Sequence, residues 1–349
     1  MKAAVYEGRD KLTVRKVPTP QIDDESILVK VHACAICGSD IKILHLGNNR
    51  VRPPQILGHE SSGEVVETGR NVTKFQVGDR IAIGAEIPCG ACAYCEAGYG
   101  NNCKMGYSMG YQFPGSFAEF VLLNRTVVNF GPVHKIPKMM PYDEAALAEP
   151  LATVINAVEM ANVKTGDVVV IIGAGPLGCM LIPVAKMHGA SKVMVIQRTD
   201  TRLEMAKKLG ADVTIAAVEQ DPISKVMEET DGLGADVIFN ANSTPSTQED
   251  SLYMASSRAR ICLLNSLPGG SAVTLDTNII HYKELMLVGA HGSLPRHHRT
   301  AVDLIAARSP DIRAFISHHF SLDDIKQGFM TAENQKGMRV IVNPWKLGE

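Results

Sequence analysis

Nothing in this sequence is built to enter a membrane: no window approaches the roughly 20 consecutive apolar residues that span a bilayer, and the opening MKAAVYEGRD lacks the apolar core of a signal peptide. An excess of one charge is missing too. Lys and Arg number 35 against 37 Asp and Glu, for a net charge of −2, so no basic surface is available to hold a phosphate backbone by counterion release, and neither nucleic acid nor membrane is expected as a partner. There is no internal repeat, low-complexity tract or long charge run, which sets aside solenoids and disordered tails. A folded chain with a cytoplasmic location is the default expectation. What is present fits that: 349 residues, 45% hydrophobic and 21% charged, with 30 Gly and 18 Pro. Such a length predicts two domains with ample material for a core.

Eight cysteines are placed unevenly, four of them between Cys89 and Cys103 and the rest at Cys34, Cys37, Cys179 and Cys262. In a reducing compartment a cluster of this kind points to metal more than to disulfides. Cys89, Cys92, Cys95 and Cys103 form C-x2-C-x2-C-x7-C in a loop rich in Gly, Ala and Asn. Four thiolates that close in sequence wrap one tetrahedral zinc and leave no position open, which makes the site structural; an iron–sulfur cluster and a redox disulfide set are the alternatives. A second group is dispersed: Cys37 in CGSD, His59 and Glu60 in GHE, and Glu149 in AEPLA. One thiolate, one imidazole and one or two carboxylates suit a catalytic zinc that keeps a place for substrate. Cys34 reads as a small core residue on a strand.

Up to about residue 150 the chain alternates short β-branched stretches, KAAVYE, ILVKVHA, SGEVVETG, DRIAIG and FAEFVLL, with Gly, Pro and Asp, which predicts a compact β-barrel-like unit. Beyond it, apolar runs at Val168–Ile172, Val193–Ile196, Val213–Ile215, Val237–Phe239, Ile261–Leu264 and Leu285–Val288 are divided by helical stretches, the rhythm of a doubly wound parallel sheet. After Gly289 a polar loop, HGSLPRHHR, leads to a helix expected from about Thr300 to Ala307 and a last strand, Arg339–Val342, that is free to rejoin the first domain. The stretch Arg296–Arg299 reads chiefly as a solvated turn before that helix, with phosphate binding as the sharper alternative.

The run Val168–Ile172 leads straight into Gly173-Ala174-Gly175-Pro176-Leu177-Gly178 and then a helical segment. This is a G-x-G-x-x-G between strand and helix, where the glycines permit a tight turn, close approach of a pyrophosphate and close helix packing. An acidic residue for the ribose hydroxyls is expected at the end of the second strand, roughly 20 residues on. That place holds Gln197, followed by Arg198 and, one helical turn later, Arg202. Two guanidinium groups and no acid lean the reading to NADP over NAD. Asp200 keeps NAD open, and Thr201 with Glu204 matches a plain capping box.

CGSD, GHE, the four-Cys lobe, EPLA and GAGPLG occur in one order along the chain, and with them it resembles the zinc-dependent medium-chain dehydrogenases, most closely the sorbitol (polyol) and threonine dehydrogenase branch. The resemblance implies an α/β protein: a GroES-like, β-rich catalytic domain from residues 1–150 and 291–349, enclosing a Rossmann domain over 151–290. It implies two zinc ions per chain, the catalytic one on Cys37 and His59 with Glu60 and Glu149 as direct or water-mediated ligands. Ser39 is implied beside the alcohol, Arg339 of the Gly337-Met338-Arg339 run near the pyrophosphate, and a homo-oligomer, dimer or tetramer, as the assembly. Two departures stand out. Polyol relatives commonly carry a relay His five residues past the zinc Cys, where this chain has Lys42, and an Arg-Tyr pair where it has Gly292-Ser293. The expected activity is hydride transfer between a secondary alcohol, a polyol or sugar alcohol with or without phosphate, and NAD(P), giving the ketone. A threonine or amino-alcohol dehydrogenase fits the same motifs. A non-catalytic nucleotide sensor is the reading from another class, and the retained zinc set with an open position argues against it.

Overall fold

The computed structural model describes residues 1–198, 200–334 and 337–345, with the side chains of Asp200 and Thr201 left out. The ribose contact expected of Asp200 and the capping box expected of Thr201 depend on those two side chains and lie outside the described residues. The chain divides into two compact units, one of Met1–Ala152 with Gly292–Glu349 and one of Thr153–His291. Among the described residues no helix is long and apolar enough to cross a membrane.

The second unit carries a sheet of six parallel strands: Val168–Ile172, Lys192–Gln197, Val213–Ala216, Ala235–Asn240, Ala255–Leu263 and Met286–Gly289. Counted in chain order they lie 3-2-1-4-5-6, so the order reverses beside the first strand, Val168–Ile172. In such sheets the crevice at the carboxyl ends beside the reversal is where ligands bind. Val169, Val170 and Ile171 of that first strand are fully buried, as a strand covered on both faces requires.

In the first unit the organising strand is Ile27–Ala35. It pairs antiparallel with Glu60–Thr68, with Phe120–Leu123 and with Arg339–Asn343. The last segment of the chain therefore returns to the N-terminal sheet, with Val342 opposite Cys34 and Ile341 opposite Ala35. Alternate residues of these strands, Ile27, Val29, Val31, Val65, Val121, Val340 and Val342, form one core with Leu57 and Phe117. Register then does the positioning: Ala35 lies opposite Glu60, so the end of one strand and the start of the next bring Cys37 beside His59 and Glu60.

One expectation is corrected. The stretch Arg296–Arg299 is neither a solvated turn nor part of a loop, because the helix begins five residues earlier than expected and runs Pro295–Ala306. Pro295 occupies the first helical position, where its fixed φ favours helix and its missing N–H costs no bond. His297 then accepts a hydrogen bond from the Leu294 N–H at 3.0 Å, which ties down the helix start. His297 and His298 are buried rather than solvated.

Candidate metal centres and nucleotide site

The four lobe cysteines converge. Their sulfurs all lie within 4.8 Å of one another, with Cys92 to Cys95 at 3.6 Å, Cys89 to Cys95 at 3.9 Å and Cys92 to Cys103 at 3.9 Å. A tetrahedron with metal–sulfur bonds of about 2.3 Å has edges of about 3.8 Å, so these separations fit one zinc. They are far too long for a disulfide, and all eight cysteines are free. Backbone N–H groups turn toward the sulfurs: Cys89 donates to Cys103 Sγ at 3.3 Å. Those of Lys104 and Cys95 bring the Cys92 thiol down to about 6, whereas burial pushes Cys95 up to about 12. Hydrogen bonds to the ionised form favour it, which is what a thiolate cage requires.

Cys37, His59 and Glu60 form the second convergence, one ligand atom from each within 4.8 Å of the others. Cys37 caps the helix Gly38–Leu46. His59 and Glu60 are 5% and 0% exposed, and Glu60 Oε2 is buried with no hydrogen-bond partner. A buried, unpartnered carboxylate oxygen beside a thiol and an imidazole is an arrangement that a zinc ion would satisfy. Burial pulls the His59 imidazole down, but Asp40 and Cys37 outweigh it and hold it well above its usual value.

Glu149, at the start of the helix Ala148–Met160, is buried but stands outside this set of three. Burial, then the neighbouring Glu60, holds its carboxyl well above the usual range. Arg339 is buried with Nη1 2.9 Å from Glu60 Oε1, so it pairs with the carboxylate next to His59. Ser39 Oγ lies 3.3 Å from His59 Nε2. Lys42 is exposed on the Gly38–Leu46 helix. Ser293 is buried, its N–H donating to Glu86 Oε2 at 3.3 Å.

Two contributors escaped the sequence reading. Asp40 is 1% exposed. Its Oδ2 accepts from the Cys37 N–H at 3.0 Å, while Oδ1 accepts from the Gly58 N–H at 3.3 Å and lies 3.5 Å from His59 Nδ1. A carboxylate behind a ligating histidine fixes its ring and tautomer. The signal was in CGSD, where the last residue was passed over. Tyr111 stands edge-on to His59 with ring centroids 6.2 Å apart; no local pattern marked it.

In the second unit Gly173 has φ +108°, and a Cβ at Gly178 would lie 1.8 Å from the Gly173 carbonyl. Only glycine allows this turn and this closeness. The helix Pro176–Met187 follows, Gly175 at its N-cap, so its first-turn N–H groups, those of Leu177 and Gly178 among them, form an anion cradle. Gln197 Oε1 accepts the Ala174 N–H at 2.9 Å. Arg202 Nη1 lies 3.5 Å from where a Cβ on Gly175 would be, and Arg198 is exposed.

Comparison with known proteins accounts for both units. Residues 23–138 match the family model of the alcohol dehydrogenase GroES-like domain, and residues 176–307 that of the zinc-binding dehydrogenases. An L-threonine 3-dehydrogenase of Bacillus licheniformis is 33% identical over 349 residues, 99% of each chain. A D-arabitol-phosphate dehydrogenase of Enterococcus avium is 31% identical over 96% of this chain and 94% of its own. Among solved structures, a Sinorhizobium meliloti protein described as a zinc-binding dehydrogenase and bound to NADP superposes with a TM-score of 0.92, at 32% identity over 98% of this chain and 99% of that one. The galactitol-1-phosphate dehydrogenase of Escherichia coli gives 0.89 at 26% identity, over 99% and 100%. The chain belongs to the zinc-dependent medium-chain alcohol dehydrogenases, a GroES-like domain joined to a Rossmann domain, and is an NAD(P)-dependent oxidoreductase.

Proposed function

We propose that the chain interconverts a polyol or sugar alcohol, with or without a phosphate, and the corresponding ketone, passing hydride to NADP or NAD. The observation that carries this reading is the Cys37, His59 and Glu60 set with its unpartnered carboxylate oxygen, because a structural site would have no open valence. Zinc held there, with Glu149 alongside, supplies Lewis acidity that brings the pKa of an alcohol toward neutrality. Around it Asp40 holds the His59 ring, Arg339 holds Glu60, and the Ser39 hydroxyl takes the alcohol proton outward. Arg339 is also the residue assigned to the pyrophosphate. A second reading, oxidation of L-threonine or another amino alcohol, is favoured by the 33% identity to a threonine dehydrogenase along the full length. Polyols, sugar-alcohol phosphates and L-threonine assayed side by side with NAD and NADP, following the reduced cofactor's absorbance, separate the two; absence of turnover on the whole panel with zinc and cofactor bound would reject both.

NADP is the proposed preference, supported by Gln197 in the ribose-reading place, by Arg198 and by Arg202 beside the glycine turn. Loss of one charge-assisted hydrogen bond weakens binding roughly ten- to a hundredfold, so Arg198→Ala and Arg202→Ala are each expected to raise the Kd of NADPH by at least tenfold and to leave NADH within a few-fold. Titration of cofactor fluorescence measures this. A two-zinc stoichiometry and a dimeric or tetrameric assembly complete the reading. The latter is supported by the edge strand Met286–Gly289, where Met286 is 50% exposed, since an open apolar edge invites pairing; light scattering gives the mass.

A further inference from the structure

Four basic side chains, Lys74, His134, Lys135 and Arg299, line one cavity of about 720 Å³ in the unit of Met1–Ala152 and Gly292–Glu349. They reach it from three elements. Lys74 stands in the loop between the strands Glu60–Thr68 and Arg80–Ile83, His134 and Lys135 on the edge strand Val133–Lys135, and Arg299 on the helix Pro295–Ala306. Among the described residues no carboxylate lines the cavity, and it shares no lining residue with the metal centres or the glycine turn. The chain as a whole carries −2, so this excess of positive charge is local. Asp79 balances Lys135 at 2.7 Å, whereas among the described residues Lys74 and Arg299 have no carboxylate partner. Lys74 gives two N–H donors to the Val128 and Asn129 carbonyls, at 3.4 and 2.7 Å. An ammonium has a third. His134 Nδ1 is taken by the buried His298 at 2.8 Å, which leaves Nε2 for a ligand. Burial, then Arg299 and Lys74, takes this imidazole down to about 4; both cations therefore act on one ring, and the charge converges instead of spreading along a rim. Phe75 and Phe130 supply an apolar wall, with Phe130 43% exposed. Pro295 also lines the cavity and is the first residue of its helix, so the positive end of the helix dipole adds to the field.

We propose that this cavity binds a small phosphate monoester, its phosphate between Lys74, His134 and Arg299 and its organic part against Phe75 and Phe130. A dianion matches the two unpaired cations. A volume of this size suits a metabolite better than a bare ion, and a guanidinium holds phosphate oxygens bidentately. A dicarboxylate would need its charges met at two separated points. Of the stretch Arg296–Arg299, Arg299 is then the member that meets phosphate, while His297 and His298 are buried parts of the helix packing. The site is independent of the dehydrogenase reading, since it uses none of the residues assigned to the alcohol, the zinc or the nucleotide.

The test is calorimetry on the zinc-loaded enzyme saturated with its reduced cofactor, which keeps the glycine turn occupied, while phenyl phosphate, inorganic phosphate, succinate and uncharged phenol are titrated at constant ionic strength. Phenyl phosphate is expected to bind at one site per chain, at least about tenfold tighter than inorganic phosphate because its ring is buried on the apolar wall, and tighter than succinate, with phenol giving no heat. Arg299→Ala and Lys74→Ala are each expected to raise its Kd about ten- to a hundredfold and to leave kcat/KM of the ligand-free enzyme unchanged. Lys135→Ala, whose charge Asp79 already balances, should change that Kd by less than about threefold. Wild-type affinity in both Arg299→Ala and Lys74→Ala would put the phosphate elsewhere and overturn the proposal. Succinate binding as tightly as phenyl phosphate, or no heat with phenyl phosphate, would overturn it as well.

Discussion

Asp40 makes no contact that a ligand set would count, yet three groups of the metal centre lean on it: the Cys37 N–H, the Gly58 N–H and the His59 ring. Asp40→Asn keeps the shape and loses the charge, so His59 is free to turn or change tautomer. Loss of such a partner costs roughly ten- to a hundredfold in activity or metal affinity. A fall of that order in kcat/KM, with faster zinc loss to a chelator and unchanged NADPH affinity, is the expected result; wild-type rates would show that Asp40 serves only the helix cap. At this scale the sequence was informative where a motif keeps its residues within a few positions, as in the four-Cys lobe and the glycine turn. It was less so for Arg339, whose pairing with Glu60 depends on a strand contributed by the far end of the chain. Gln197 shows another limit. Its place at the end of the second strand was readable, but its bond to the Ala174 N–H was not, and an Asp there, one methylene shorter, would give up that bond while adding its charge.

Among the elements, the helix Pro295–Ala306 was misjudged for a physical reason. Its buried face runs His297, His298, Ala301, Val302 and Ile305, a regular helical stripe whose first two members look polar. His298 is hidden because it pairs with His134, Nδ1 to Nδ1 at 2.8 Å, on the edge strand Val133–Lys135. One of the two nitrogens must donate and the other accept, so both rings cannot be charged. Burial, with Arg299 and Lys74 nearby, lowers His134 to about 4, and burial followed by His134 takes His298 well below its usual value. In the unfolded chain both would titrate near 6.5. Between about 4 and 6.5 these two positions therefore bind more protons in the unfolded state, and the stability that the pair contributes falls as pH drops through that window. Urea unfolding at pH 7 and pH 5 should show the loss, and His298→Gln, which cannot titrate, should shrink the pH 7 to pH 5 difference although it lowers stability at both. An unchanged difference would refute the assignment. The lobe gives a second test at this scale. Cys92→Ser removes one thiolate of four, and because zinc binding by such a cage is coupled to folding, the proposed content of two zinc ions per chain should fall to one with a lowered thermal midpoint, measured by elemental analysis and calorimetry.

For the whole molecule most candidate residues sort by unit, although Arg339, proposed for the pyrophosphate, lies in the same unit as the metal ligands. Every candidate metal ligand, Cys37, His59, Glu60 and Glu149 together with the lobe cysteines, belongs to the unit of Met1–Ala152 and Gly292–Glu349, whereas Gly173, Gly175, Gly178, Gln197 and Arg202 belong to Thr153–His291. The rhythm of the sequence foretold two architectures because a both-faces-buried parallel sheet and a turn-rich antiparallel one are written with different patterns. The division has a consequence for mutants. His59→Ala leaves Cys37 and Glu60 in place and removes the imidazole from the metal set, with no change to the glycine turn or to the strands that build it. Turnover should fall by about a hundred- to a thousandfold, the order expected when a group central to stabilising developing charge is lost, while the Kd for NADPH stays within about threefold of wild type. Fluorescence titration and steady-state rates on the same preparation measure both. If cofactor affinity fell in step with turnover, nucleotide binding would depend on the metal centre and the two units would not be separable in function.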